Sequence, residues 1–265
     1  MNLSLNTATV RKQWTLAQII DGCARHGITG ISPWRDQVAQ MGLAQTVQAI
    51  RANGLTVTGL CRGGFFTVPD WHDDNRRALE EAHELGAQCL VLVVGGLPKG
   101  SKDLRGARDQ VRDAIAALLP EARAAKVPLA IEPLHPMQAA ERACINTLEQ
   151  ALDLCDELGE GIGVACDVYH VWWDPKLEQQ IARAGRKKRL LAYHICDWLV
   201  PTRDLLNDRG MMGDGVIDLP LIRSWVERAG YTGFQEVEIF SELDWWKRDP
   251  DEVLKTCIQR HRTCT

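Results

Sequence analysis

No Cys-x-x-Cys pair occurs among the nine cysteines of this 265-residue chain, and the count is odd. A disulfide framework is therefore a poor account of them. Cys61, Cys89, Cys166 and Cys196 sit in apolar, strand-like runs, which suits buried free thiols in a reducing, cytoplasmic setting. No apolar run approaches the length of a membrane span, and Met1-Asn-Leu-Ser-Leu-Asn6 lacks the charged start of a signal peptide. Basic excess is missing too: the net charge is −4 and the pI about 6.0, against a nucleic-acid partner. The single basic cluster, Arg186-Lys-Lys-Arg189, reads as a solvated helix end. Arg62-Gly-Gly and Val94-Gly-Gly do not complete a G-x-G-x-x-G turn, so a dinucleotide site has little support. Residue-level repeats and Pro/Ser-rich linkers are absent, so residues 1–265 are expected to form one domain.

What is present is an alternation with a period near thirty residues. Strand-type runs fall at roughly 2–6, 28–32, 55–60, 89–95, 128–133, 162–167, 190–195 and 233–239. Helical patterns occupy about 14–26, 38–53, 74–85, 105–125, 146–159, 177–185, 219–229 and 252–262. Gly27, Gly54, Gly86, Gly159 and Gly230 follow helical stretches, where left-handed caps are expected. Asn146-Thr-Leu-Glu149 reads as a helix start. Eight successive βα units without a composition break predict an α/β fold, a (β/α)₈ TIM barrel. An open doubly wound sheet competes, but usually has fewer strands.

In such a barrel the chemistry lies at the C-terminal strand ends. Glu132, Asp167, His194 and Glu238 end or closely follow the fifth to eighth strand runs. One ligand from each of four adjacent strand tips can converge on one point. Three carboxylates and an imidazole suit one divalent ion, Mn²⁺ first, with Mg²⁺, Co²⁺ or Zn²⁺ as alternatives. Any one strand-end acid could equally be a cap or an ion-pair partner. Cys166 and Cys196 adjoin two of the four, but strand alternation points them to the opposite face.

The motifs Ile131-Glu-Pro-Leu134, Asp167-Val-Tyr-His170, His194-Ile-Cys-Asp197, Gly213-Asp-Gly215 and Val237-Glu-Ile239 resemble those of the xylose isomerase-like barrel superfamily. That superfamily is the sugar phosphate isomerase/epimerase group. The resemblance implies that Glu132, Asp167, His194 and Glu238 bind the metal and that both glutamates serve as acid and base. It also implies a substrate-binding role for His170, although a histidine beside Val171-Trp-Trp173 can simply pack in a loop. The expected reaction removes a proton next to a keto-sugar carbonyl. Return of the proton gives a sugar isomerase or epimerase; loss of a leaving group gives a lyase on a 3-keto sugar or 3-keto-glycoside. The second outcome is that of C-glycoside deglycosidase catalytic subunits, which pair with a small β-rich partner.

Further substrate contacts are open on the sequence alone. Arg203 or Arg209 could hold a hydroxyl or carboxylate, or simply pair with Asp204 or Asp208. Asp197 and Asp214 read either as supports of the site or as turn residues. His135 follows Glu132 closely and could face the pocket or solvent. Arg62 is the best lone candidate for an anionic group. Trp34, Trp71, Trp172, Trp173, Trp198, Trp245 and Trp246 follow strands, and as a mouth-side set they favour a carbohydrate or an aromatic glycoside. Trp34 and Trp173 are the expected substrate contacts among them; core or interface packing is the equal alternative. Three-zinc abasic-site endonucleases of the same superfamily need further histidines that strands two to four and Asp214-Gly-Val216 do not offer. A non-catalytic sugar-binding role would predict a missing ligand, and none is missing. A homo-oligomer is expected, as barrels of this group commonly pair.

Overall fold

The computed structural model describes residues 1–265 and forms a parallel (β/α)₈ barrel of one domain. Its strands are β1 (Asn2–Asn6), β2 (Gly30–Ser32), β3 (Thr56–Val57), β4 (Leu60–Gly64), β5 (Leu90–Val93), β6 (Leu129–Ile131), β7 (Ile162–Asp167), β8 (Leu190–Ile195), β9 (Asp197–Trp198), β10 (Arg209–Gly210) and β11 (Phe234–Val237). The helices are α1 (Leu16–His26), α2 (Arg35–Met41), α3 (Leu43–Ala52), α4 (Trp71–Leu85), α5 (Leu104–Ala125), α6 (Leu148–Leu158), α7 (Val168–Val171), α8 (Leu177–Arg186), α9 (Leu219–Arg228) and α10 (Pro250–Thr263). The main sheet runs β3-β2-β1-β11-β8-β7-β6-β5-β4. Its two ends, β3 and β4, are halves of the third barrel strand, so the ring closes through one interrupted strand. Thr58 N bonds Ile31 O at 2.9 Å on one side, and Leu60 N bonds Cys89 O at 3.0 Å on the other.

Every expected strand and helix run has its counterpart, and the differences have local causes. The run at 38–53 divides at Gly42, whose φ of 92° no right-handed helix accommodates. Helix α6 is capped by Thr147, which accepts from Gln150 N, and not by Asn146. The Asn146 side chain instead bonds the carbonyls of Leu134 and Ala143, pinning the loop that follows β6. Gly27 and Gly86 adopt left-handed caps as expected.

Alternation along the strands divides the apolar side chains into two populations. Outward residues such as Leu5, Leu92, Ile131, Val164, Tyr193 and Val237 join a core cluster of 65 buried residues shared with the helices. Inward residues form a cluster of six small ones: Cys61, Cys89, Val91, Ala130, Ala165 and Ala192. Apolar burial, the main favourable term in folding, therefore lies outside the ring. The small inner layer leaves the middle of the barrel free for polar groups. Eight of the nine cysteines are buried and all are free thiols; Cys166 packs outward, as alternation requires.

Close strand packing gives a test of this architecture. A Cβ on Gly163 would stand 2.3 Å from Arg189 O and 2.7 Å from Leu191 Cγ. We expect G163A to lower stability by about 1–3 kcal/mol, as overpacking does. The denaturant midpoint reads this directly; an unchanged midpoint would contradict the β7–β8 packing.

Candidate functional site

The inward positions at the C-terminal strand ends collect the acidic residues. Glu132 follows β6, Asp167 ends β7, His194 is the penultimate residue of β8, and Glu238 follows β11. All four are buried, and one ligand-type atom from each lies within 4.8 Å of the others. His194 Nδ1 stands 3.1 Å from Glu132 Oε1 and 3.8 Å from Glu238 Oε2. Glu132 Oε1 and His194 Nδ1 are buried without a hydrogen-bond partner. Such an orphaned buried polar atom costs about 1–3 kcal/mol. A cation held among the four side chains would satisfy both atoms, so the donor set fits a divalent metal ion.

Behind His194 lies a fourth buried carboxylate. Glu236 Oε1 is 3.5 Å from His194 Nε2, on the side away from Glu132. Asn6 Nδ2 and Thr58 Oγ1 donate to its two oxygens, each at 2.8 Å, and Ser4 Oγ lies 2.8 Å from Thr58 Oγ1. The carboxylate faces the far ring nitrogen without a hydrogen bond to it, and Nδ1 is turned toward Glu132 and Glu238. Sequence reasoning passed over Glu236 although the signal was there. It lies two residues before Glu238, so both face inward on one strand.

Arg209 closes the site from above. Strand β10 pairs antiparallel with β9, setting Arg209 opposite Trp198, and Arg209 N bonds Phe240 O at 2.8 Å. Its guanidinium lies between the rings of Tyr169 (4.4 Å) and Phe240 (5.1 Å). Nη1 donates to Asp167 Oδ2 at 2.8 Å and to Glu238 Oε2 at 3.2 Å. Burial opposes ionisation of Asp167, but Arg209 foremost outweighs it and holds the carboxyl below its usual value. Glu238 goes the other way. Burial, against Arg209 and reinforced by Glu132, pushes its carboxyl up to about 8.

His170, on the short helix α7, lines the same cavity. Its Nδ1 accepts from His135 N at 3.2 Å, and its Nε2 lies 3.2 Å from Arg209 Nη2, which can only donate. Burial pushes the ring down to about 3, hence it is neutral at physiological pH. Its Nε2 also lies 3.7 Å from Asp167 Oδ2.

The cavity, open on one side, is walled by Trp34, Val93, Leu134, Leu206 and Phe240, with Arg62, Gln138 and Arg142 as polar lining. Trp34, Arg62, Glu132, His170 and Glu238 therefore meet at one cavity, with Asp167 and His194 buried behind it. Three expected substrate contacts do not line it. Arg203 is turned outward and pairs with Asp208, while Arg209, six residues on, takes the place beside the ligand group. His135 stacks on Trp198 at 4.9 Å and serves His170 only through its backbone N–H. Trp173 donates Nε1–H to His170 O at 2.8 Å and packs edge-on to His135. Asp197 is a clip, accepting from the backbone N–H groups of Trp198, Gly213 and Ile217, and Asp214 pairs with Arg260. Gln138, Arg142, Leu206 and Phe240 were not foreseen. They come from long connecting segments whose path no local pattern encodes.

A family model described as a xylose isomerase-like TIM barrel matches residues 20–257 of the chain. A solved protein from Sinorhizobium meliloti is 64% identical with a TM-score of 0.98, covering 99% of this chain and 98% of its own. The IOLI protein, solved with a zinc atom bound, is 21% identical with a TM-score of 0.84, over 98% and 96% of the two chains. A 3-keto-D-glucoside 4-epimerase from E. coli is 21% identical with a TM-score of 0.76, over 94% and 95%. No protein of curated function matches the sequence.

Arg209 is 3% exposed, so removing its charge strands the ionised Asp167 carboxylate in the interior. We expect R209M to cost about 3–5 kcal/mol at neutral pH in the metal-free protein, the range for a broken buried pair. Urea unfolding measures it, and a loss under about 1 kcal/mol, the level of a surface pair, would show the network to be unimportant.

Proposed function

The chain belongs to the xylose isomerase-like TIM barrel family, and from that premise we propose that it is a divalent-metal-dependent sugar isomerase or epimerase. The observation that carries the proposal is the buried group of Glu132, Asp167, His194 and Glu238, in which the facing atoms Glu132 Oε1 and His194 Nδ1 are both unsatisfied. These four side chains would hold the metal, and Mn²⁺ suits their oxygen-rich set. When bound, the ion supplies positive charge that lowers the cost of developing negative charge on a substrate oxygen.

The remaining work falls to the chain's own groups. Glu132 and Glu238 both reach the cavity, one to take the proton from the carbon next to the carbonyl, the other to return it. The Arg209 guanidinium, held against the His170 ring at 3.2 Å, is the donor for a carbonyl or hydroxyl oxygen beside the reacting carbon. Trp34 and Phe240, stacked edge to face at 5.5 Å, present apolar surface to a sugar ring and help exclude water. A keto sugar is the substrate class that uses all of these groups. The lyase alternative drew its support from a tryptophan-lined mouth. Trp34 alone of the seven lines the cavity, which leaves little surface for an aglycone.

Proton NMR in D₂O tests the reading with a panel of free ketoses and 3-keto-glycosides. The Mn²⁺-loaded protein should wash deuterium into a substrate without loss of its mass, and EDTA should stop the exchange. E132Q and E238Q should each slow exchange by about 100-fold or more. Release of water or an aglycone would identify a lyase instead, and full exchange in both variants would remove the acid–base assignment.

Metal binding itself should depend on pH. Below about 8 the metal-free Glu238 carries a proton that an incoming cation must displace. The surrounding carboxylates also hold the His194 imidazole protonated well above its usual range against burial, so Mn²⁺ affinity should rise from pH 6 through 8 and beyond, with proton release visible by calorimetry in buffers of different ionisation enthalpy. A pH-independent affinity with no proton released would show that Glu238 is already ionised.

A further inference from the structure

Two arginines in the cavity have no partner in the chain. Arg62 follows Cys61 on β4, and Arg142 comes from the loop between β6 and α6, eighty positions later in sequence. The Nε atoms of both are buried without a hydrogen bond, and neither guanidinium has an acidic neighbour at ion-pair distance. Burial first, then Arg142, brings Arg62 down to about 10, so it stays cationic at neutral pH, while burial and then Arg209 lower Arg142 against the more distant Glu132 and Glu238. The Arg62 guanidinium rests on the Phe65 ring at 4.0 Å, which holds it in position without neutralising it.

Two partly buried cations facing one cavity, neither paired, form a costly arrangement that an anion would relieve. Water alone leaves the like-charge repulsion in place. The charge balance points the same way. Glu132, Asp167, Glu236 and Glu238 contribute four negative charges at this end of the barrel, and Arg62, Arg142 and Arg209 three positive ones. A divalent ion then leaves one positive charge over, which one carboxylate neutralises. The lining offers no Ser, Thr, Lys or Gly, and so none of the hydroxyl or glycine-turn N–H donors that phosphate sites gather. Two planar guanidinium forks suit a carboxylate.

Resting on the isomerase/epimerase reading and narrowing its substrate, we propose that the substrate is a sugar acid whose carboxylate is held between Arg62 and Arg142, away from the reacting carbonyl. The sequence concealed this site because each arginine stands alone in its own segment, and no basic cluster marks either.

Isothermal titration of the Mn²⁺-loaded full chain with D-fructose, 5-keto-D-gluconate and D-fructose 6-phosphate tests the proposal by binding, independently of turnover. The keto acid should bind at least about tenfold more tightly than D-fructose, as charge-assisted hydrogen bonds give. R62Q and R142Q should each remove about tenfold of that affinity while retaining the wild-type unfolding midpoint and Mn²⁺ binding. Equal affinity of the wild type for acid and neutral ketose would overturn the proposal, as would tighter binding of the phosphate or an intact preference in both variants. The wild-type comparison stands whether or not either variant folds. Keto-acid binding through both arginines without deuterium wash-in on any ketone would count against the enolate reading alone. Exchange on neutral ketoses without preference for the acid would count against the carboxylate alone.

Discussion

Four carboxylates with no more than 6% exposure crowd one end of this barrel, and the surrounding structure is organised by the need to compensate them. An ionised carboxylate in an apolar interior is untenable without partners. Asp167 and Glu238 share Arg209, which the β9–β10 ribbon delivers from fifteen residues beyond His194. Glu236 has no Lys or Arg beside it and relies on Asn6, Thr58 and the His194 ring, which accounts for the polar side chains that β1 and its neighbours turn inward. Glu132 keeps only an imidazole that it does not properly bond. The polar column, the lid ribbon and the unsatisfied pair are thus three answers to one electrostatic demand. The helices supply the apolar burial that makes the arrangement tolerable.

Much of this was legible in the sequence, because period and strand-end position are local properties. Eight βα units and the four residues at the tips of the last strands could be read from spacing alone, and the family motifs coincide with them. What was not legible depended on paths through space. Arg203 and Arg209 occupy one loop with similar acidic neighbours; what separates them is that Asp208 bonds back to Arg203 while the next residue joins β10. The tryptophans misled for a related reason. An indole N–H needs an acceptor when buried, and those of Trp173 and Trp246 found backbone carbonyls below the surface. Position after a strand gives a residue access to the mouth, but a large amphipathic side chain can also turn back into the packing.

The split of the third strand shows the same division between local pattern and spatial demand. A single run at 55–60 was expected, yet the chain pairs with β2 through Thr56–Val57 and with β5 only from Leu60 onward. Between them Thr58 turns its hydroxyl to Glu236 and Gly59 passes over Ser32 and Val91 without a side chain. The interruption therefore serves the polar column and shifts the following residues, so that Cys61 and Arg62 reach the cavity. Hydrophobic periodicity carries no trace of that purpose.

The site consequently has a floor and a roof of different physical character. The floor consists of strand-borne groups fixed by barrel register and by hydrogen bonds beneath them, as preorganised electrostatics requires. The roof, made of Arg142, Leu206, Arg209 and Phe240, hangs on connecting segments held by backbone bonds and clips such as Asp197. Loops on a barrel can change without disturbing the ring that carries them. A floor built for one proton-transfer chemistry can therefore sit under roofs that select different substrates. In this chain the roof and upper wall bring guanidinium groups from three separate segments to one cavity, and that feature sets its chemistry apart from what the floor alone would allow.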